Sequence, residues 1–323
     1  MNAAVTPRAL VVCCGALALS CSAETPAPST SDGGAPGLEG GASAAVVCPE
    51  GQTYGNPLEG MGAVVTIGAP ATGPVTSFAY LEGPVWIAGL GRLFFSDIAA
   101  SPQPILSLTP STAPELFVAD SGSNGLAIDG HDQLIVADQA RRRITRVDPE
   151  TATVSGELVR TGNVTPNDLI ARSDGNIYLT DPFVGLFRVD PAGTLTGPFP
   201  PVRAPNGVVL SPDERTLYVG DVFSLDIYAL PLGEDGAVDT SGVVLAKTVG
   251  TTLDGMAVDC AGNLYATTSN GVEVFTPTGA SIGTIETGAS SNATFGGADR
   301  KTLYVTAITA LRTVSLAVPG LPD

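Results

Sequence analysis

Histidine is nearly missing from this chain: among 323 residues His131 stands alone, and lysine occurs only as Lys247 and Lys301. A Ser-His-Asp triad needs an imidazole at the site to carry the proton. His131 lies in Asp129-Gly130-His131-Asp132, a turn sequence between strands, so that chemistry is excluded. Cations are scarce as a class, 15 Lys and Arg against 32 Asp and Glu, giving a formal charge of −17. Such a chain repels phosphate backbones and anionic lipid surfaces, which excludes nucleic acid as a partner. Past the N-terminus no apolar run approaches the roughly 18 residues that span a bilayer. Gly-rich phosphate loops, zinc-finger cysteine spacings and nucleophile elbows are also missing.

What the chain has in plenty is glycine and proline, 39 and 26 residues, with no collagen-like period. That composition points to a turn-rich all-β chain, and 44% hydrophobic residues suffice for a sizeable core. The N-terminus reads as a processing segment: Arg8, an apolar stretch over residues 9–19, then Ala18-Leu19-Ser20-Cys21. The last four residues resemble a bacterial lipobox, with Ala18 where leucine is usual. Residues 1–21 are therefore expected to be a lipoprotein-type signal peptide, with Cys21 the lipidated residue. Residues 22–45, rich in Ser, Gly, Ala, Pro and Thr, cannot bury enough apolar surface to fold and form a flexible tether. Residues 46–323 form the folded domain. The expected location is the bacterial cell envelope, periplasmic or outer-membrane, with the lipid as the only membrane contact; cleavage near Ala23 instead would make the chain secreted. Cys48 and Cys260 remain in the exported part. An oxidising compartment permits a disulfide between them, and two unrelated thiols are equally compatible with the sequence.

A short phrase recurs at intervals of roughly 40 residues. It reads Leu81-Glu82-Gly83-Pro84, Ser123-Asn124-Gly125-Leu126, Pro166-Asn167-Asp168-Leu169, Pro205-Asn206-Gly207-Val208, Leu253-Asp254-Gly255-Met256 and Ser291-Asn292-Ala293-Thr294. A glycine, aspartate or asparagine turn and an apolar strand follow most copies, as in Asp174-Gly175-Asn176-Ile177-Tyr178-Leu179. Three or four short antiparallel strands repeating at this period make a propeller blade, and six copies predict a six-bladed β-propeller. A strand at residues 63–67 precedes the first copy and is expected to pair with the last blade, closing the ring and leaving no open edge.

Each copy carries one polar residue at the same phase: Glu82, Asn124, Asn167, Asn206, Asp254 and Asn292. Turn propensity accounts for Asn-Gly and Asp-Gly one at a time. It does not account for a carboxylate or carboxamide in every copy, nor for Glu82. These side chains are expected to converge on the propeller axis. An all-oxygen set with two carboxylates suits one hard divalent cation, calcium above all; magnesium and manganese fit less well by geometry, and zinc by ligand type. Beside such an ion Asp254 could serve as general base or nucleophile in a hydrolysis. Asn124, Asn167 and Asn292 would then orient water or substrate.

Taken in order, segments 81–86 with 93–98, 166–169 with 178–182, 205–212 with 217–221, 254–259 with 262–266, and Phe295-Gly296-Gly297 resemble the senescence marker protein (regucalcin)/gluconolactonase/luciferin-regenerating enzyme family. The resemblance implies a six-bladed propeller with one divalent ion held by Glu82, Asn167, Asn206 and Asp254, and lactone hydrolysis with Asp254 near the attacking water. Two positions depart from the family pattern. Thr165 stands where sugar-lactone enzymes commonly place a substrate-binding arginine, and Asp138-Gln139 stands where many bacterial members have Glu-His. The resulting expectation is a monomeric, calcium-dependent, lactonase-type carboxylic ester hydrolase acting on a small lactone or ester. Its rival is a non-catalytic propeller stapled by the metal, binding a glycan or protein at the envelope.

Overall fold

The computed structural model describes Cys48 and residues 51–321; the segments expected to be a signal peptide (1–21, with Cys21) and a tether (22–45) lie outside the described residues. Short apolar runs punctuated by Gly, Asp and Asn turns can bury themselves only by pairing with their neighbours in sequence. They do so in six antiparallel four-stranded sheets arranged as a six-bladed β-propeller. Blade 1 covers residues 81–118, blade 2 123–160, blade 3 169–199, blade 4 205–247 and blade 5 253–285. Blade 6 takes three strands from residues 292–315, and its outermost strand is Val65–Ile67 from the start of the domain. Val65 pairs with Thr313 and Ile67 with Leu311, so the ring closes as expected from the sequence.

The second strand of each blade is buried along nearly its whole length rather than on alternate residues, because it is covered on both faces by neighbouring blades. Leu134–Asp138, Ile177–Asp181 and Leu264–Thr268 are buried at every residue. Apolar side chains accordingly gather in six clusters, one between each pair of adjacent blades. Ile135 and Ile144 of blade 2, for example, pack on Ile177, Leu179 and Phe187 of blade 3. Trp86 of blade 1 stacks on Tyr304 of blade 6, ring centroids 5.6 Å apart, across the closing seam. With its core distributed between blades, the fold leaves the axis free for polar side chains.

Cys48 and Cys260 are joined by a disulfide, Cα atoms 5.5 Å apart and 212 residues apart in sequence. The bond ties the start of the domain to the turn after the inner strand Leu253–Val258 of blade 5. Loop-closure entropy makes such a long cross-link stabilising. Reduction, or Cys260→Ser, is expected to lower the unfolding free energy by about 2–4 kcal/mol, read from denaturant melts with and without reductant.

Candidate functional site

Four inner strands place their polar residue second: Leu81–Ile87, Ser123–Ile128, Pro205–Leu210 and Leu253–Val258 carry Glu82, Asn124, Asn206 and Asp254. In each of these, strand register slips just after that residue, a β-bulge that re-aims the side chain out of the ladder. Asn292 opens its strand, whereas Asn167 lies two residues ahead of Leu169–Ala171.

Two sets of hydrogen bonds hold this ring in place. Hydroxyls on second strands reach into the next blade: Ser96 Oγ donates to the Asn124 carbonyl and Thr180 Oγ1 to that of Asn206, both at 2.7 Å. Ser291 Oγ donates to the Leu81 carbonyl at 2.6 Å, linking blade 6 to blade 1 beside Glu82. Buried acids fix the loops that lead into the inner strands. Asp97 accepts from the Ala79 and Tyr80 amides, Asp181 from Thr165, Asp221 from Arg203 and Ala204, and Glu273 from Val249 and Gly250. Glycine is required where successive blades touch. Gly83 has φ +51° and a Cβ there would stand 2.4 Å from the Asn124 carbonyl oxygen. Gly83→Ala is therefore expected to cost more than about 2 kcal/mol in a thermal or denaturant melt.

The structure brings Glu82, Asp254, Asn206 and Asn292 into one interacting group, and adds Asp168, which the repeat alignment passed over. Asn292 spans two carboxylates: its Nδ2 lies 3.4 Å from Asp168 Oδ2, and its side chain also hydrogen-bonds Glu82. Asn206 hydrogen-bonds Asp254. The Leu169 amide donates to Asp168 Oδ1 at 2.9 Å, and the Gly83 amide to Glu82 Oε2 at 3.1 Å. Asn124 is buried beside Gly83, and Asn167 is half-buried, its carbonyl accepting from the Gly125 amide. The signal that could have found Asp168 is its place in the repeat. It is a carboxylate where other copies have Gly83, Gly125, Gly207, Gly255 and Ala293.

Burial and mutual repulsion dominate the electrostatics. Burial, then the charges of Asp254 and Asp168, push Glu82 well above the usual carboxylate range. Burial pushes Asp168 up to about 7. Asp254 is likewise pushed up to about 7, by burial and then by Asp168. Tyr80, also absent from the sequence reading, is raised by burial and by the charges of Asp254 and Glu82, so its hydroxyl stays protonated beside them. None of the ion pairs among the described residues reaches Glu82, Asp168 or Asp254. Nor do any three Asp, Glu, His or Cys side chains among them converge tightly enough to hold an ion by themselves. A cation here would need carboxamide oxygens too, which Asn167, Asn206 and Asn292 carry.

Other candidates fall elsewhere. Arg141 and Arg143 both engage Asp138, at 3.4 and 2.7 Å, and brace a corner of blade 2. The His131 amide is bound to Asp129 in an exposed turn. Along the axis from the ring runs a cavity of about 400 Å³, walled by Trp86, Leu126, Ile170, Val208, Met256 and Phe295, with Asp168 and Asn292 also in its lining.

This arrangement has relatives. The family described as SMP-30/Gluconolactonase/LRE-like region matches residues 81–309. A gluconolactonase of Zymomonas mobilis subsp. mobilis is 29% identical over 291 residues, covering 76% of this chain and 81% of that protein. A pentonolactonase of Haloferax volcanii is 30% identical over 244 residues, covering 72% of this chain and 82% of its own. Among solved structures, a gluconolactonase from Xanthomonas campestris superposes with a TM-score of 0.69 at 27% identity, covering 79% of this chain and 89% of that one. With the family matched across well over half of its length, the chain belongs to the SMP-30/gluconolactonase/LRE-like family.

Proposed function

We propose that the protein is a lactonase-type hydrolase whose reaction takes place at the axial ring. The observation that carries this reading is the cluster of three buried carboxylates, Glu82, Asp168 and Asp254, with carboxamides between them and no cationic side chain as partner among the described residues. The gluconolactonase and pentonolactonase relatives support the reaction class. The excess of buried negative charge and the all-oxygen donor set fit one hard divalent cation, calcium first, held by Glu82, Asn167, Asn206 and Asp254. Bound there, such an ion supplies Lewis acidity, polarising a carbonyl and lowering the charge density of an oxyanion.

The rest falls to side chains of this chain. Asp254 accepts a proton from water as the water oxygen bonds to the lactone carbonyl carbon. The acyl carbon–ring oxygen bond then breaks, and the departing alkoxide takes that proton to give a hydroxy acid. In the metal-free ring Asp254 is pushed up to about 7; a bound cation would pull it back down and keep the carboxylate ionised as a proton acceptor. Asn124, Asn167 and Asn292 orient water and substrate, and Tyr80, protonated throughout, is a further donor. The disulfide supports export to an oxidising compartment, in keeping with lipidation at Cys21 and an envelope location.

The test is a pH-stat assay of the full chain with calcium on a mixed panel of γ- and δ-lactones. Acid release well above the blank is expected. Silence across lactones and simple esters, with calcium bound, would overturn the reading in favour of a non-catalytic, metal-stapled propeller.

A further inference from the structure

Large apolar side chains are left exposed around one sector of the ring. Phe183 is 73% exposed, Phe223 78% and Val249 80%, with Val184 at 43%. Phe183 and Phe223 hold equivalent places in neighbouring blades. Each follows the aspartate that ends a second strand, and each amide donates to that aspartate's Oδ1 at 2.9 Å. The other oxygen of Asp181 holds Thr165, two residues before Asn167. The other oxygen of Asp221 holds Arg203 and Ala204, just before Asn206. Val249 follows the same plan through Glu273, whose two oxygens accept from Val249 and Gly250, ahead of Asp254. The neighbouring Thr248 amide donates to the Leu225 carbonyl, which sets Val249 beside the loop of Phe223.

Phe183, Phe223 and Val249 are thus each tied through a single carboxylate to the segment that delivers a ring residue. They stand on the face where the inner strands begin. The corresponding corner of blade 2 is charged instead, with Arg141 bridging Asp138 and Asp120. The remaining exposed valines, Val65, Val154, Val243 and Val244, belong to outermost strands. A standard protein interface covers about 800 Å² per partner, more than a few side chains on three loops present. A small molecule that reaches the ring from this face, rather than through the cavity lined by the far ends of the inner strands, meets them.

We propose that the substrate is a lactone bearing an apolar substituent, an alkyl chain or aryl group, which lies against Phe183, Phe223 and Val249 while the lactone carbonyl meets the ring. This specificity rests on the lactonase reading above. Phe183, Val184, Phe223 and Val249 offer a polyhydroxylated lactone no hydrogen bond, whereas an apolar substituent can bury its surface against them.

Two assays separate the inference from the reading beneath it. In the first, kcat/KM of the full chain is compared for δ-valerolactone, a δ-lactone with a pentyl chain, and δ-gluconolactone. The alkylated lactone is expected to be at least about tenfold better than either, and Phe183→Ala/Phe223→Ala to bring the ratio close to one. In the second, calorimetry measures binding of the matching lactams, with and without the chain, so that turnover is not needed. Tighter binding of the alkylated lactam, by about tenfold and lost in the double variant, supports the inference. A preference for the polyhydroxylated lactone, binding indifferent to the chain, or a ratio unchanged in the double variant would overturn it. Hydrolysis of no lactone at all would sink the lactonase reading, and the lactam arm would still decide whether the apolar sector binds ligands. Both phenyl groups are solvent-exposed, so the double variant is expected to fold, which a thermal melt verifies.

Discussion

Asp254→Asn is expected to lower kcat for lactone hydrolysis by about 10²–10⁴-fold while leaving the fold intact. The substitution is nearly isosteric and keeps an oxygen for Asn206 to donate to. It removes the proton acceptor and one of the three charges that make the ring a cation site. The alternative, a purely structural Asp254, predicts a different pattern: lower thermal stability and little change in kcat at saturating calcium. Steady-state kinetics at several calcium concentrations, with circular dichroism as the check on folding, distinguish the two. Retention of full turnover in a folded variant would remove Asp254 from the chemistry.

The second large effect concerns pH and follows from the carboxylates alone. In the fold Asp168 and Asp254 are pushed from the ordinary 3.8 to about 7, and Glu82 rises well above its own ordinary value. A raised carboxylate pKa means that the fold favours the neutral acid. Its contribution is fully present below about pH 4 and is lost as pH rises through about 7. Metal-free protein should therefore be less stable at pH 8 than at pH 5. The loss is on the order of 4 kcal/mol, or roughly 10 °C in Tm for a domain of this size. A bound divalent cation favours the ionised forms and reverses the trend, so calcium should raise Tm more at pH 8 than at pH 5. Thermal melts in chelator and in calcium at the two pH values measure both slopes. Asp168→Asn should flatten the metal-free slope without the loss of a cation ligand assigned to Asp254. A metal-free Tm that rises between pH 5 and 8 would contradict this picture of the ring.

Much of this architecture was legible in the sequence because a propeller writes the same constraints once per blade. The polar residue followed by Gly recurs because a Cβ at Gly83 or Gly255 would collide with the next blade's ring residue. The aromatic second strands recur because they are buried on both faces, and the closing strand was visible as an apolar run with no blade of its own. Asp168 was harder to see. Strand alternation says which side chains share a face only inside a strand, and blade 3 begins its strand at Leu169, after both Asn167 and Asp168. Which of the two points to the axis depends on the path of the preceding loop, fixed in turn by the distant Asp181. Pairing of Cys48 with Cys260 depends on where the domain's first residues return after a whole circuit of blades, which no local pattern encodes. The exposure of Phe183 and Phe223 was hidden for the opposite reason: in a sequence of buried aromatics, two solvent-facing ones look the same as the rest.

The most direct test is to follow lactone hydrolysis by one sample of the full chain as calcium is removed with chelator and then returned in measured amounts. Activity is expected to disappear on chelation and to return in proportion to calcium up to one equivalent per chain, with no other addition. Turnover that survives complete removal of divalent cations, or that fails to return although one calcium rebinds, would contradict a hydrolase working at the axial ring.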